Sequence, residues 1–174
     1  AGGTAPAVSV AETTTAVTTV TSTDADTGAT LPYSITGGAD SAKFTLNSTT
    51  GALSFITAPN YEAPNDAGTD NVYDVTVQVS DGSNTDSQAI AVSVTNVNEA
   101  PVITSNSGGT AAAVSVAENT KAVTTVTATD ADAGSKLTYT IAGGADSAKF
   151  TLNSTTGALS FISAEERGEG NEWC

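Results

Sequence analysis

The chain contains no His and no Met, and its single Trp and single Cys stand side by side as Trp173 and Cys174. Basic residues are scarce: 5 Lys and Arg stand against 19 Asp and Glu in 174 residues, for a net charge of −14. Each shortage excludes something. Without His, triads and dyads built on imidazole cannot form. One Cys and no His make no structural zinc site, and one Cys closes no disulfide within the chain. Apolar runs are short, none approaching the roughly 18 residues of a membrane-spanning helix. The surplus of negative charge repels phosphate backbones, so nucleic acid is excluded as a partner. A chain without Met or a leader-like segment is expected of a piece of a longer protein.

What is present is a repeat. Residues 2–58 return as residues 108–164 at a constant offset of 106, with 46 of 57 aligned positions identical. The block GGADSAKFTLNSTTGALSFI occurs twice unchanged, at 37–56 and 143–162. A period near 100 residues fits one sandwich-sized domain per repeat rather than a small solenoid unit. Local patterns agree. Val8 and Val10 alternate with polar residues, as do Leu31, Tyr33 and Ile35. Residues 16–23 form a Val/Thr run suited to a strand. Phe44 and Leu46, then Leu53 and Phe55, flank NSTTG, which reads as a hairpin loop. Tyr73, Val75, Val77 and Val79 share one face of a strand, and Ile90, Val92 and Val94 share a face of the next. About seven strands per repeat are expected, with a single helical turn near residues 40–43.

The second copy parts from the first after Ala164 and continues as EERGEGNEWC. It is therefore expected to be truncated and to lack the two most apolar strands. The five strands left would expose a hydrophobic face and a long sheet edge. The predicted architecture is all-β: tandem Greek-key β-sandwiches of the cadherin/immunoglobulin-like kind. A complete repeat spans residues 1–100, a linker 101–109, a partial repeat 110–164 and an unmatched tail 165–174.

Several motifs, in order, resemble those of bacterial cadherin-like repeats of large surface and secreted proteins. Glu12, and Glu118 in the second copy, follow the first strand. The pairs Asp24/Asp26 and Asp130/Asp132 form DxD at the end of the second strand. Asn60-Tyr61-Glu62 is similar to the family's DRE segment. Asp81 ends the sixth strand, and the linker NVNEAP at 96–101 resembles DxNDNAP. The resemblance covers the first repeat and about 57 residues of the second. It implies calcium as the cofactor. A calcium ion takes six to eight oxygens, more than one strand end supplies, so loops of adjacent repeats must converge. By resemblance, the junction within this chain uses Glu12, Asn60, Glu62, Asn96, Asn98, Glu99, Asp130 and Asp132, with the Val97 carbonyl as a further ligand. Asp24, Asp26 and Asp81 face an upstream junction, and Glu118 a downstream one. Asn60 and Asn96 stand where the family has acids, which lowers the charge at the site and with it the expected affinity.

The implied function is a non-enzymatic, calcium-binding structural and adhesion module of a repetitive bacterial surface or secreted protein, an adhesin acting homophilically or in a biofilm. Its partners are neighbouring repeats or like chains, and its place is extracellular, at the bacterial cell surface. Two alternatives belong to other classes. One is a self-assembling subunit whose incomplete repeat accepts strands from another chain, or which pairs through Cys174 with Trp173 as an anchor. The other is a domain that binds cell-surface polysaccharide. Against all three stands the plain reading that Asp and Asn favour turns. Tyr33, Phe44 and Phe55 read as core, and the two NST triplets as turns rather than glycosylation sites.

Overall fold

The structure is a computed structural model that describes residues 7–26 and 29–162. The chain divides into two compact units, Ala1–Val97 and Asn98–Cys174. Trp173, Cys174 and the tail lie outside the described residues.

In the first unit the alternating segments form strands β1 (Ala7–Ala11), β2 (Ala16–Thr19), β3 (Tyr33–Gly37), β4 (Phe44–Leu46), β5 (Ala52–Phe55), β6 (Val72–Ser80) and β7 (Thr85–Thr95). They make two sheets, ordered β1-β7-β6-β3 and β2-β5-β4. Strand β1 runs parallel to β7, with Val8 opposite Val92 and Val10 opposite Val94. The long β6–β7 ladder is antiparallel and sets Tyr73 opposite Val92 and Val75 opposite Ile90. Period-two alternation therefore puts one apolar row of each strand on the inner face. The core is formed by Phe44, Leu53 and Phe55 of one sheet against Val10, Tyr73, Val75, Val77, Ile90, Val92 and Val94 of the other. Burying each of these side chains stabilises the fold by about 1.5–3 kcal/mol. Phe44 and Phe55 stack with centroids 4.6 Å apart, and Tyr73 meets Phe55 edge-on at 5.1 Å. Between β3 and β4 lies the expected helical turn, a 3-10 helix at Ser41–Lys43.

Strand β2 is shorter than the Val/Thr run predicts. A register shift between Ala16 and Thr18 breaks its ladder with β5, although Val20 still donates to the Gly51 carbonyl at 2.9 Å. Gly51 is needed there: its φ is +71°, and a Cβ would collide with the Val20 carbonyl.

The second unit departs from its sequence. Its described strands are β8 (Val102–Ile103), β9 (Ala122–Thr125), β10 (Ala128–Thr129), β11 (Phe150–Leu152) and β12 (Ala158–Phe161). They form a sheet β11-β12-β9, the counterpart of β4-β5-β2, and a short pair β10-β8. The segments 113–117 and 139–143, counterparts of β1 and β3, are not strands. This corrects the expectation that the counterparts of β1–β5 all persist as strands. Among the described residues of the first unit, β1 pairs only with β7, and β3 only with β6. Without such partners, alternation alone does not make a strand. The Ser/Gly/Asn stretch at 104–109 lies within the linker. It carries a 3-10 turn at Ser105–Ser107, with positive φ at Asn106 and Ser107.

Candidate metal centre

At the end of β1, Glu12 donates its backbone N–H to the Thr95 carbonyl at 3.0 Å. Thr13 then takes a left-handed φ of 61° and turns the chain toward Pro59. The Glu12 side chain is only 1% exposed. Its Oε2 accepts the Tyr61 N–H at 2.9 Å and its Oε1 the Val97 N–H at 2.8 Å. One carboxylate thus ties together the exit of β1, the segment after Pro59 and the exit of β7. Glu62 lies beside it. A carboxylate oxygen of Glu62 comes within 4.8 Å of one from Glu12. Asn96 Nδ2 donates to Glu62 Oε1 at 2.8 Å, whereas Glu62 Oε2 is buried and accepts no hydrogen bond among the described residues.

Two carboxylates this close repel by roughly 1–4 kcal/mol, depending on the local dielectric. A buried anionic oxygen without a donor adds to that cost. A hard cation relieves both. Calcium–oxygen distances of about 2.3–2.6 Å let two ligands of one ion stand up to about 5 Å apart. The all-oxygen donor set and the donorless Glu62 oxygen therefore fit calcium.

In the second unit, the DxD pair is fastened to the chain that opens it. Glu99 N–H donates to Asp132 Oδ2 at 2.9 Å, and Asp132 N–H donates to Asp130 Oδ1 at 2.9 Å. Asn98 Nδ2 donates to the Glu99 carbonyl at 2.8 Å. Glu99, Asp130 and Asp132 are half-buried. The first copy of the pair has the same turn, Asp26 N–H to Asp24 Oδ1 at 2.8 Å, but both residues are exposed.

The remaining expected ligands are occupied locally or stand apart. Asn60 Oδ1 accepts the Ala63 N–H at 2.7 Å. Asp81 is held in its own turn: Oδ1 accepts the N–H groups of Asn84 and Ser83, and Oδ2 the Asn84 amide. Those bonds, Asn84's first, hold its carboxyl below the usual carboxylate range. Glu118 is exposed, unlike its buried copy Glu12.

Sequence reasoning missed two buried acids. Asp40 accepts the N–H groups of Ala67 at 2.7 Å and Asp74 at 2.9 Å, and so fastens the turn before β4 to the loop before β6. Asp66 accepts those of Asp70 and Asn71 at 3.0 and 3.2 Å. Burial pushes the Asp66 carboxyl up, but these and further backbone donors outweigh it, leaving it below the usual range. The signal for Asp40 was its place at the start of the single helical turn, which suggests a helix cap; its carboxylate instead reaches strand backbone.

Comparison with known proteins bears on the fold and the family. The cadherin domain model matches residues 6–97. Human protocadherin Fat 1 is 31% identical over 143 residues, covering 79% of this chain, which spans only 3% of that protein's length. Among solved structures, human protocadherin-24 EC1-2 aligns over 94% of this chain and 76% of its own, with TM-score 0.61 and 22% identity. Mouse cadherin-23 EC22-24 aligns over 95% and 53%, with TM-score 0.56 and 26% identity. Drosophila N-cadherin EC1-4 aligns over 92% and 40%, with TM-score 0.62 and 18% identity. With more than half of its residues matched by that model, the chain belongs to the cadherin domain family.

Proposed function

We propose that this chain is a calcium-binding structural and adhesion module, one piece of a repetitive surface or secreted adhesin of bacterial type. Cadherin domains are adhesion modules of extracellular or cell-surface proteins and bind calcium in general. The observation that carries the reading for this chain is the Glu12–Glu62 pair, with one buried carboxylate oxygen that accepts no hydrogen bond among the described residues.

In this reading Glu12, Glu62, Asn60 and Asn96 serve as the first unit's share of the ligands. Asn98, Glu99, Asp130 and Asp132 serve as the second unit's. Asp24, Asp26 and Asp81 serve a site shared with a preceding domain, and Glu118 one shared with a following domain. Bound calcium supplies positive charge that offsets carboxylate repulsion. The chain's own part is to aim the oxygens: Glu12 through its two backbone donors, Asp132 through the Glu99 N–H. The relief of repulsion stiffens the connection between units, which suits a spacer that holds adhesive surfaces apart.

Small-angle X-ray scattering with calcium and with chelator tests this. The native chain should become more extended and less flexible with calcium. The variant Asp130→Asn/Asp132→Asn should respond weakly or not at all, and Glu62→Gln should raise the calcium concentration needed at least about tenfold. A native profile identical in calcium and chelator would sink the reading.

A further inference from the structure

Glu12 receives its two donors from separate segments, the Tyr61 N–H on Oε2 and the Val97 N–H on Oε1. A residue of neither segment holds both in place. Asn71, just before β6, donates its side-chain Nδ2 to the Tyr61 carbonyl at 2.9 Å. Its own carbonyl accepts the Val94 N–H at 2.8 Å, on the end of β7 that leads to Val97. Its N–H donates to Oδ1 of the buried Asp66 at 3.2 Å. The Tyr61 carbonyl belongs to the planar peptide that joins Tyr61 to Glu62, so the same amide also orients the backbone that presents Glu62. Asn71 has a φ of 63°, a left-handed conformation that Asn adopts more readily than most side chains. Its Oδ1 is buried and accepts no hydrogen bond among the described residues, so the side chain is held there by the bond to Tyr61.

We propose that Asn71 is a positioning residue for the Glu12–Glu62 site, holding the Tyr61 and Val94 flanks at the spacing at which both donors reach Glu12. The proposal rests on the reading that this site takes calcium. Asn71 acts through Tyr61 and Val94 rather than as a ligand. With its amide in place, the Glu12 carboxylate is fixed at both oxygens before an ion arrives. Without it, the Tyr61 carbonyl turns to water and the segment carrying Tyr61 and Glu62 gains freedom. The Tyr61 N–H then leaves Glu12 part of the time, and the ion must reorder the carboxylates as it binds. Partners that orient metal ligands in this way are worth about 10–100-fold in affinity. The coupling is reciprocal: an ion on Glu12 and Glu62 stabilises the bond between Tyr61 and Asn71 by the same factor. The loop that Asp66 organises, outside the expected ligand set, thereby sets the calcium affinity of the site.

The test uses the full chain with calcium alone as the probe. Asn71→Gly keeps the left-handed backbone and its two backbone bonds but removes the amide. Thr69→Gly is the control: Thr69 stands in the same loop, also at a positive φ of 52°, and its hydroxyl bonds the neighbouring Gly68 carbonyl. In a calorimetric titration Asn71→Gly should raise the calcium dissociation constant about tenfold. Thr69→Gly should change it less than about twofold. Amide hydrogen exchange in chelator reads the positioning without the ion. In Asn71→Gly the Tyr61 and Val97 amides should lose about threefold or more of their protection, while the core amides of β6 keep theirs. Saturating calcium should restore the lost protection, as reciprocal coupling requires. The proposal is overturned if both variants weaken calcium binding equally, or if Asn71→Gly binds calcium as the native chain does. It is also overturned if protection falls throughout the first unit, which would mark a loss of stability rather than of positioning. A native chain that takes up no calcium would instead overturn the calcium reading, and the chelator measurement would still decide whether Asn71 holds the donors of Glu12.

Discussion

The two copies of the repeat show how much of a strand belongs to its own sequence. Residues 52–55 and 158–161 both read ALSF and both form strands. Residues 7–11 and 113–117 both read AVSVA, yet only the first is a strand. What separates the cases is the distance along the chain to the partner. The β4–β5 hairpin closes through five residues, held by Asn47, and so forms in both copies. Strand β1 needs β7, some 84 residues later, as Ala7 opposite Ala91 shows. Local pairing is specified by the repeated block; non-local pairing is specified by residues 59–95, which lie outside that block.

Removing a core aromatic from each copy should break this comparison most sharply. Phe55 is buried and touches both Phe44 and Tyr73. Phe55→Ala should cost the first unit about 3–5 kcal/mol in a urea titration followed by circular dichroism. Phe161 is half-buried and stacks only on Phe150 among the described aromatics. Phe161→Ala should cost the second unit less than about 2 kcal/mol and leave the first unit's transition in place. Equal losses would mean that the second copy's core is covered as well.

The paired aspartates give the next largest contrast. Asp40→Ala removes two charge-assisted hydrogen bonds from a buried carboxylate and should cost roughly 2–3 kcal/mol by the same titration. Asp146→Ala removes one exposed ion pair and should cost less than about 0.5 kcal/mol. A large effect at Asp146 would show that its carboxylate already has a buried partner.

Acid should separate the units as well. The folded-state pKa of Asp66 lies below its unfolded value of about 3.9. The stability it contributes is therefore complete above that value and is lost as pH falls through the lower, folded one. Asp66 lies outside the repeated block, which ends at Ala58 in the first copy. Asp66→Asn should flatten the first unit's stability below about pH 4 and leave the second unit's pH response unchanged. Titrations at a series of pH values read this directly. A slope that survives the substitution would assign the acid sensitivity to other carboxylates.

The first unit was largely legible because its strands alternate cleanly and its β4–β5 hairpin turn carries Asn47 and, at positive φ, Gly51. The inner faces of β6 and β7 were readable residue by residue: Tyr73, Val75 and Val77 are buried while Asp74 between them is exposed. The candidate site was legible as a set of residue types in order. Which oxygens meet was not, because Glu12 owes its place to Tyr61 and Val97, 49 and 85 residues away. Nor was it legible that Asp40 is a clamp, since its partners Ala67 and Asp74 lie 27 and 34 residues on. The same physics made the second unit misleading. Its alternation at 113–117 and 139–143 is as clean as the first copy's, but alternation states which face a strand would bury, not whether a partner is there to pair with it.

The smallest expected contrast comes from a change that should act equally in both copies. Asn47 Oδ1 accepts the N–H groups of Thr49 and Thr50, both at 3.0 Å. Asn153 Oδ1 accepts those of Thr155 and Thr156 at 3.0 and 2.9 Å. Each Asn closes the turn of a hairpin whose sequence and register are the same in the two units. Asn47→Ala and Asn153→Ala should each cost the local hairpin about 1 kcal/mol. The readout is amide exchange at Phe55 and Phe161, whose N–H groups bond the carbonyls of Thr15 and Lys121. If protection falls by the same factor at both, the hairpin is a self-sufficient element that residues 59–95 merely cover. If only Phe161 responds, the hairpin in the first unit is held by its cover rather than its turn, and the division between local and non-local pairing has to be redrawn inside the repeated block itself.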